Sequence, residues 1–522
     1  MAGRAFKVRH IAGAASVALL LCLTLGTLGA VVWRAEAGRA LGAADWAAIR
    51  FTLVQALLSA SLSVGLAIPV ARALARRRFV GRGLMVTLLG APFILPVIVA
   101  VFGLLAVFGR NGVLAAVLGW FGLPPVSIYG LHGVVLGHVF FNLPLATRLI
   151  LQAWLEIPAE RFRLAASLGA GPREVARLLE WPMLRAVVPG AFLVIFLISM
   201  TSFAVALTLG GGPRATTVEL AIYQAFRFDF DLGHAAMLAV VQFVLAGAAA
   251  VLAFWVTVPV GLGAGLDRRV QRWDSGGRLL RVQDAVVLML VAAFLMGPLT
   301  MIALSGLGSF GALPVSVYGA ALRSVGVALA AAALCLILTL PMALMIAGLR
   351  APGAGRFVEA VGYVSIAASP LVIGTGLFIV IFPVADPVAL ALPITALVNA
   401  TTSLPFALRV LVPAVREVED SYGRLADVLG MRGWVRMRLF LLPRLRRPIG
   451  FSAGLAAALA MGDLGVITLF ADPEAATLPL ALYRLMAAYR VDQAAAAALL
   501  LLGLSLTVFW IFDRGGRVDA DA

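Results

Sequence analysis

Apolar runs of about twenty residues recur along the whole 522-residue chain, and nothing else in the sequence constrains its fold as strongly. A helix of that length crosses about 30 Å of hydrocarbon. The runs lie near 11–33, 51–71, 84–108, 127–150, 187–209 and 236–260, then near 284–305, 321–347, 361–383, 388–411, 450–470 and 493–512. Twelve spans, six in each half, predict an all-α polytopic membrane protein. Residue usage agrees, with 62% hydrophobic and 13% charged residues where a soluble domain has about half and a quarter.

The first run follows a basic segment carrying Arg4, Lys7 and Arg9 and precedes Ala35-Glu36-Ala37, which has the form of a signal-peptide cleavage site. It exceeds the usual 7–15-residue signal core, so a retained first span is expected. The net charge of +16 is not spread as a nucleic-acid surface would be. With the N-terminus inside, 32 of the 41 Lys and Arg residues fall in the inner segments. That bias predicts both termini in the cytoplasm.

One stretch occurs twice. Arg163 to Pro182 reads RLAASLGAGPREVARLLEWP and Arg424 to Pro443 reads RLADVLGMRGWVRMRLFLLP, 261 residues apart. In each, a glycine (Gly169, Gly430) ends a first helical segment, and a proline (Pro182, Pro443) follows thirteen residues later. A solvated loop needs no fixed glycine-to-proline distance, so a shaped surface is expected on the cytoplasmic face. The correspondence extends further. Leu143-Pro144 and Arg148 match Leu404-Pro405 and Arg409, Thr217 and Tyr223 match Thr477 and Tyr483, and Pro69 matches Pro341. The chain is therefore read as a tandem duplication. Its first domain is 1–266 with a cytoplasmic loop at 156–186, its linker is 267–284, and its second domain is 285–522 with a loop at 416–447. An even number of spans per half makes the copies parallel, related by an axis along the membrane normal with the pathway between them.

Several chemistries are excluded. Lys7 is the only lysine, so no Gly-Lys-Ser/Thr phosphate loop exists and the chain has no such route to ATP hydrolysis. Cys22 and Cys335 lie in separate apolar runs, and His10, His132, His138 and His234 form no metal-ligand pattern. There is no His-Glu-x-x-His, which argues against an intramembrane metalloenzyme.

The paired loops resemble those of permeases of binding-protein-dependent ATP-binding-cassette importers, with two permease domains fused in one chain. The resemblance implies that a short helix in each loop docks into a cleft on an ATPase subunit. It places Arg163, Ala165, Ser167, Gly169 and Pro182 in the first coupling element and Arg424, Ala426, Val428, Gly430 and Pro443 in the second. The sequence departs from that family's pattern: arginine stands where the motif has glutamate, leucine at its first alanine, and Trp181-Pro182 closes the first copy. Among fused permeases, Ala71 to Phe79, Val139 to Pro144 and especially Leu209 to Ala225, with its Gly-Gly-Gly-Pro, are most similar to the thiamine and thiamine pyrophosphate branch. Ferric-ion importers share the architecture and are the alternative cargo class. The resemblance further implies two copies of an ATP-binding subunit, an external substrate-binding protein, a bacterial inner-membrane location and no cofactor on this chain, ATP being used by the partner.

For the pathway, Asp463 in Met461-Gly462-Asp463-Leu464-Gly465 is an acid within a predicted span, costly unless functional or capping a neighbouring helix. Its counterpart is Ser202 or Phe203. Asn142 and Asn399 complete the candidate residues, with helix–helix hydrogen bonding expected of both. A secondary transporter also has two parallel halves. It would carry paired intramembrane charges, whereas Asp463 is the main one here.

Overall fold

The computed structural model describes residues 2–35, 40–90, 94–256, 277–349, 355, 358–362, 365, 368–470 and 473–516. Residues 36–37 of the possible cleavage sequence and 267–276 of the linker lie outside these. All regular structure among the described residues is helical.

The first half runs α1 (Ala2–Leu21), α2 (Thr27–Arg34), α3 (Ala43–Arg76), α4 (Arg82–Leu88), α5 (Val97–Phe108), α6 (Val113–Trp120), α7 (Leu131–Glu156), α8 (Ala159–Ser167), α9 (Pro172–Val175), α10 (Trp181–Met200), α11 (Ala204–Leu209), α12 (Val218–Arg227) and α13 (Leu232–Val256). The second runs α14 (Arg278–Gly308), α15 (Val315–Gly348), α16 (Pro370–Ile381), α17 (Ala391–Val428), α18 (Gly433–Val435), α19 (Leu442–Met461), α20 (Gly465–Phe470), α21 (Leu478–Ala487) and α22 (Val491–Gly515). Among the described residues, eleven helices are long and apolar enough to cross a membrane. The span expected at 361–383 is represented by α16, a shorter apolar helix of 12 residues.

Each half is built on the same packed trio. In the first, α3 packs on α7 and α10; in the second, α15 packs on α17 and α19. The leading helices are exchanged between halves: α1 and α2 lie on α15 and α16, while α14 lies on α3 and α5. Glycine permits the close approach at matching places, as is usual where helices meet in lipid. A Cβ on Gly103 of α5 would lie 2.7 Å from the Pro298 carbonyl oxygen of α14, and one on Gly376 of α16 would lie 2.5 Å from that of Thr27 in α2. At the start of α14, Asp284 is buried and pairs with Arg76 at 3.0 Å and with Arg77, which anchors the second half's first helix to the end of α3.

Three expected spans are corrected. The run 84–108 is divided between α4, which ends at Leu88, and α5, which starts at Val97, and the segment long and apolar enough to cross there is Val97–Trp120. The runs 187–209 and 450–470 are not single helices. They break at 201–203 and 462–464, between α10 and α11 and between α19 and α20. The apolar character continues through each break because the short helices beyond it are buried, so hydropathy alone does not mark it.

Candidate functional site

The duplicated loops lie at the same end of the bundle, and their glycines have a specific geometric role. Gly169 has φ +71° and Gly430 φ +66°, in the left-handed region that L side chains rarely adopt. In the first loop Gly169 N–H donates to Ala166 O at 3.0 Å and Ala170 N–H to Ala165 O at 3.0 Å. In the second, Gly430 N–H donates to Asp427 O at 3.1 Å and Met431 N–H to Ala426 O at 2.9 Å. Both are complete Schellman stops, in which the carbonyl of the residue four before each glycine, Ala165 or Ala426, closes the longer bond. The prolines also act alike. A π-helical turn, Ala176–Glu180 or Arg436–Leu441, lies just before Pro182 or Pro443. Proline has no N–H for the helical ladder, and the wider turn accommodates the gap.

These stops leave apolar side chains facing outward. Leu164 and Leu168 in the first loop, and Leu425, Val428 and Leu429 in the second, are exposed. Arg163 pairs loosely with Glu160 at 3.4 Å, Ser167 returns its hydroxyl to Leu164 O at 2.8 Å, and Arg424, Pro182 and Pro443 are exposed. An exposed row of leucines beside arginines is a surface that a partner protein can cover.

The loops are clasped differently. In the first, the buried pair Phe162 and Val175 holds α8 to α9 in one apolar cluster. In the second, the positions 261 residues on are Gly423 and Arg436. Arg436 bridges Glu419 and Asp427, and Gly423 leaves it room, since a Cβ there would stand 3.4 Å from Nη2. Arg436→Gln is accordingly expected to speed trypsin cleavage after Arg432 or Arg438 about fivefold without changing cleavage of the first loop. Equal rates in variant and parent would show that the ionic clasp does not hold the second loop.

Deeper in the bundle, the two helix breaks face each other. Ser202 and Phe203 stand in the first and Asp463 in the second. A Cβ on Gly465 would lie 3.7 Å from Phe203 Cδ1. Asp463 is thus not inside a continuous helix, as the sequence suggested, but at the mouth of α20. Its Oδ1 accepts from Gly465 N–H at 3.2 Å, its Oδ2 is buried without a hydrogen-bond partner, and Asn399 lies beside it. Asn399 Nδ2 donates to Thr395 O at 2.9 Å, within its own helix. The counterpart of Asn399 is His138, which is buried with Nδ1 3.2 Å from Ser59 Oγ. Asn142 joins helices as expected, donating to Ser199 Oγ at 3.1 Å.

Two features escape the sequence reading. Arg72 Nε lies 2.9 Å from the buried Glu180 carboxylate, joining α3 to the π-turn before Pro182. Glu219 of α12, fully buried, faces the other half. In each half the next helix, α12 or α21, is fastened to the second span by a hydroxyl: Val218 N–H donates to Thr52 Oγ1 at 2.9 Å, and Leu478 N–H to Ser324 Oγ at 2.7 Å.

Two parallel halves with exchanged leading helices, broken helices meeting at the centre and paired glycine-stopped loops at one end define a multi-pass membrane permease. The class is that of ATP-binding-cassette importers, with two permease domains fused in one chain. No model of a known protein family matches the chain. Whole-length relatives do. The thiamine transport system permease protein ThiP of Escherichia coli is 38% identical over 527 residues, covering 98% of this chain and 98% of its own length. That of Brucella abortus is 37% identical over 524 residues, covering 98% and 96%. That of Salmonella typhimurium is 40% identical over 479 residues, covering 90% and 89%. The chain belongs to the thiamine transport system permease family.

Proposed function

We propose that this chain is the translocation subunit of an importer that carries thiamine or thiamine pyrophosphate into the cytoplasm, driven by two copies of a separate ATP-binding subunit. The observation that carries the reading is the pair of Schellman-stopped helices with exposed leucines at one end of the bundle. Each is a wedge for a cleft on an ATPase subunit, with Arg163, Ala165, Ser167, Gly169 and Pro182 in one and Arg424, Ala426, Val428, Gly430 and Pro443 in the other. The charge bias sets that end, and both termini, in the cytoplasm of a bacterial inner membrane. The chain holds no cofactor, and ATP serves the partner subunit.

Force enters at the loops and acts at the breaks. Helix α17 is continuous for 38 residues, ~57 Å at the usual rise, and carries both Asn399 and the docking segment Arg424 to Val428. Movement of the second wedge is transmitted along one rod to the side of Asp463. In the first half the corresponding rod is interrupted between α7 and α8 at Ile157-Pro158. The two halves then exchange two packed arrangements as bodies, opening the central region first to one side and then to the other. A binding protein delivers cargo at the opposite, extracytoplasmic end.

The test is ATPase activity of the complex reconstituted in proteoliposomes with its ATPase and binding protein. Thiamine or its pyrophosphate is expected to stimulate turnover severalfold, and ferric ion to leave it at the basal rate. Stimulation by iron alone would overturn the cargo, and failure of any ATPase to associate would overturn the importer reading.

A further inference from the structure

The seam between the halves is built from matching pieces: α12 meets α16 and α20, α13 meets α16, and α21 and α22 meet α5. One of these contacts contains a buried acid. Glu219 has no solvent exposure, and neither carboxylate oxygen accepts a hydrogen bond of full geometry from the protein. Its polar neighbours are Ser369, which caps α16 in the other half, and Gln242 of α13. The Ser369 hydroxyl accepts from Val372 N–H at 3.2 Å and Gln242 Nε2 donates to Met200 O at 3.1 Å, so each has one further hydrogen to offer the carboxyl group.

An acid in the first turn of a helix has an ordinary explanation, since it offsets the positive end of the dipole. The fold element does not depend on that contribution. Thr217 already caps α12 by accepting from Leu220 N–H at 3.2 Å, and the counterpart of Glu219 in α21 is Pro479. The same fold element forms without the acid in the second half. A carboxylate buried at the seam with only two neutral donors beside it and no cationic partner among its polar neighbours is costly.

The rest of the α12 face supplies the context. Glu219, Tyr223 and Phe226 are spaced four and three residues apart and so share one side of the helix. The Tyr223 ring lies 5.3 Å from Phe203 beside the first helix break, and the Phe226 ring 4.6 Å from Phe378 of α16. A carboxylate at the head of a row of aromatic rings is complementary to a flat organic cation, which gains from both the charge and the ring faces when water is excluded. We propose that Glu219, with Tyr223 and Phe226 below it, is the contact that receives the positively charged ring of the cargo when the α12–α16 seam parts. It would discriminate on charge inside the membrane domain, separately from selection by the binding protein. This rests on the reading that the cargo is thiamine, whose thiazolium is such a cation.

The experiment measures two quantities on one reconstituted complex: ATPase stimulation by thiamine-loaded binding protein, and uptake of labelled thiamine into the vesicles. Stimulation reports docking and loop closure, while uptake also requires passage. For Glu219→Gln, stimulation is expected to stay within about twofold of the parent while uptake falls about tenfold. Glu219→Pro, which places in α12 the residue that α21 already carries, is expected to behave alike and guards against an effect peculiar to glutamine. Uptake retained in both variants would overturn the proposal, as would stimulation and uptake falling together, which is the mark of a merely structural residue. A parent complex that takes up no thiamine would instead sink the cargo reading. The two failures are thereby distinguished.

Discussion

Valine at Gly169 or at Gly430 is expected to abolish cargo-driven ATP turnover and uptake while leaving the chain inserted in the membrane. Both glycines hold φ near +70°, where a β-branched side chain is a severe outlier. No neighbour would obstruct the new side chain, because a Cβ at either position has nothing within 4 Å. The effect therefore acts through the backbone alone. Losing the left-handed residue releases the two Schellman bonds in that loop, frees the carbonyls of Ala165 and Ala166 or of Ala426 and Asp427, and unwinds the last turn that presents the exposed leucines. Alanine costs about 1 kcal/mol at such a position and should leave partial coupling, so the series Gly, Ala, Val should fall in that order. If two ATPase subunits dock as proposed and close as one unit, damage to one loop should suffice. The measurement is thiamine-stimulated ATPase and uptake in proteoliposomes beside the amount of chain in the membrane. Valine variants that transport within twofold of the parent would show that the loop geometry does not transmit force.

The loops were legible because their constraint is local. A left-handed glycine and a proline after a fixed interval are both set by neighbours within twenty residues, so the pattern survives duplication in readable form. The breaks at Ser202 and Asp463 were not legible from hydropathy, since α11 and α20 are as buried as the helices before them. A signal was nevertheless present in the second: glycines on both sides of Asp463 favour an interruption, and the acid stands where a free N–H at the start of α20 meets it. The exchange of α1, α2 and α14 between halves leaves no mark on a span's own periodicity, because lipid and a neighbouring helix are equally apolar surroundings. Glu219 stood in plain view within the Leu209 to Ala225 stretch. Its meaning appears only when the helix that buries it is known to come from the other half.

The second large effect concerns the pair that joins α3 to the first of the duplicated loops. Glu180→Ala is expected to destabilise the first half by about 3 kcal/mol, because it removes one partner of an ion pair and strands the other. The lower end of the usual range applies because Arg72 retains 29% of its side-chain exposure, against 4% for Glu180. The duplication supplies the control. The counterparts of Arg72 and Glu180 in the second half are Leu344 and Leu441, both buried in one apolar cluster beside the second loop. The same architecture thus exists with an ion pair in one copy and two leucines in the other. Replacing both residues by leucine should accordingly recover stability to within about 1 kcal/mol of the parent, since a buried ion pair and a well-packed apolar pair are often near equal in worth. Thermal unfolding of the purified complex in detergent, run as a double-mutant cycle, measures this directly. A single alanine variant that melts with the parent would show that the pair carries no load. A double leucine variant as unstable as the single would show that the first half, unlike the second, has no room for the exchange. If the double variant is stable and still couples ATP to uptake, the charge pair is a local choice of packing, and force passes through the α3–loop contact by shape alone.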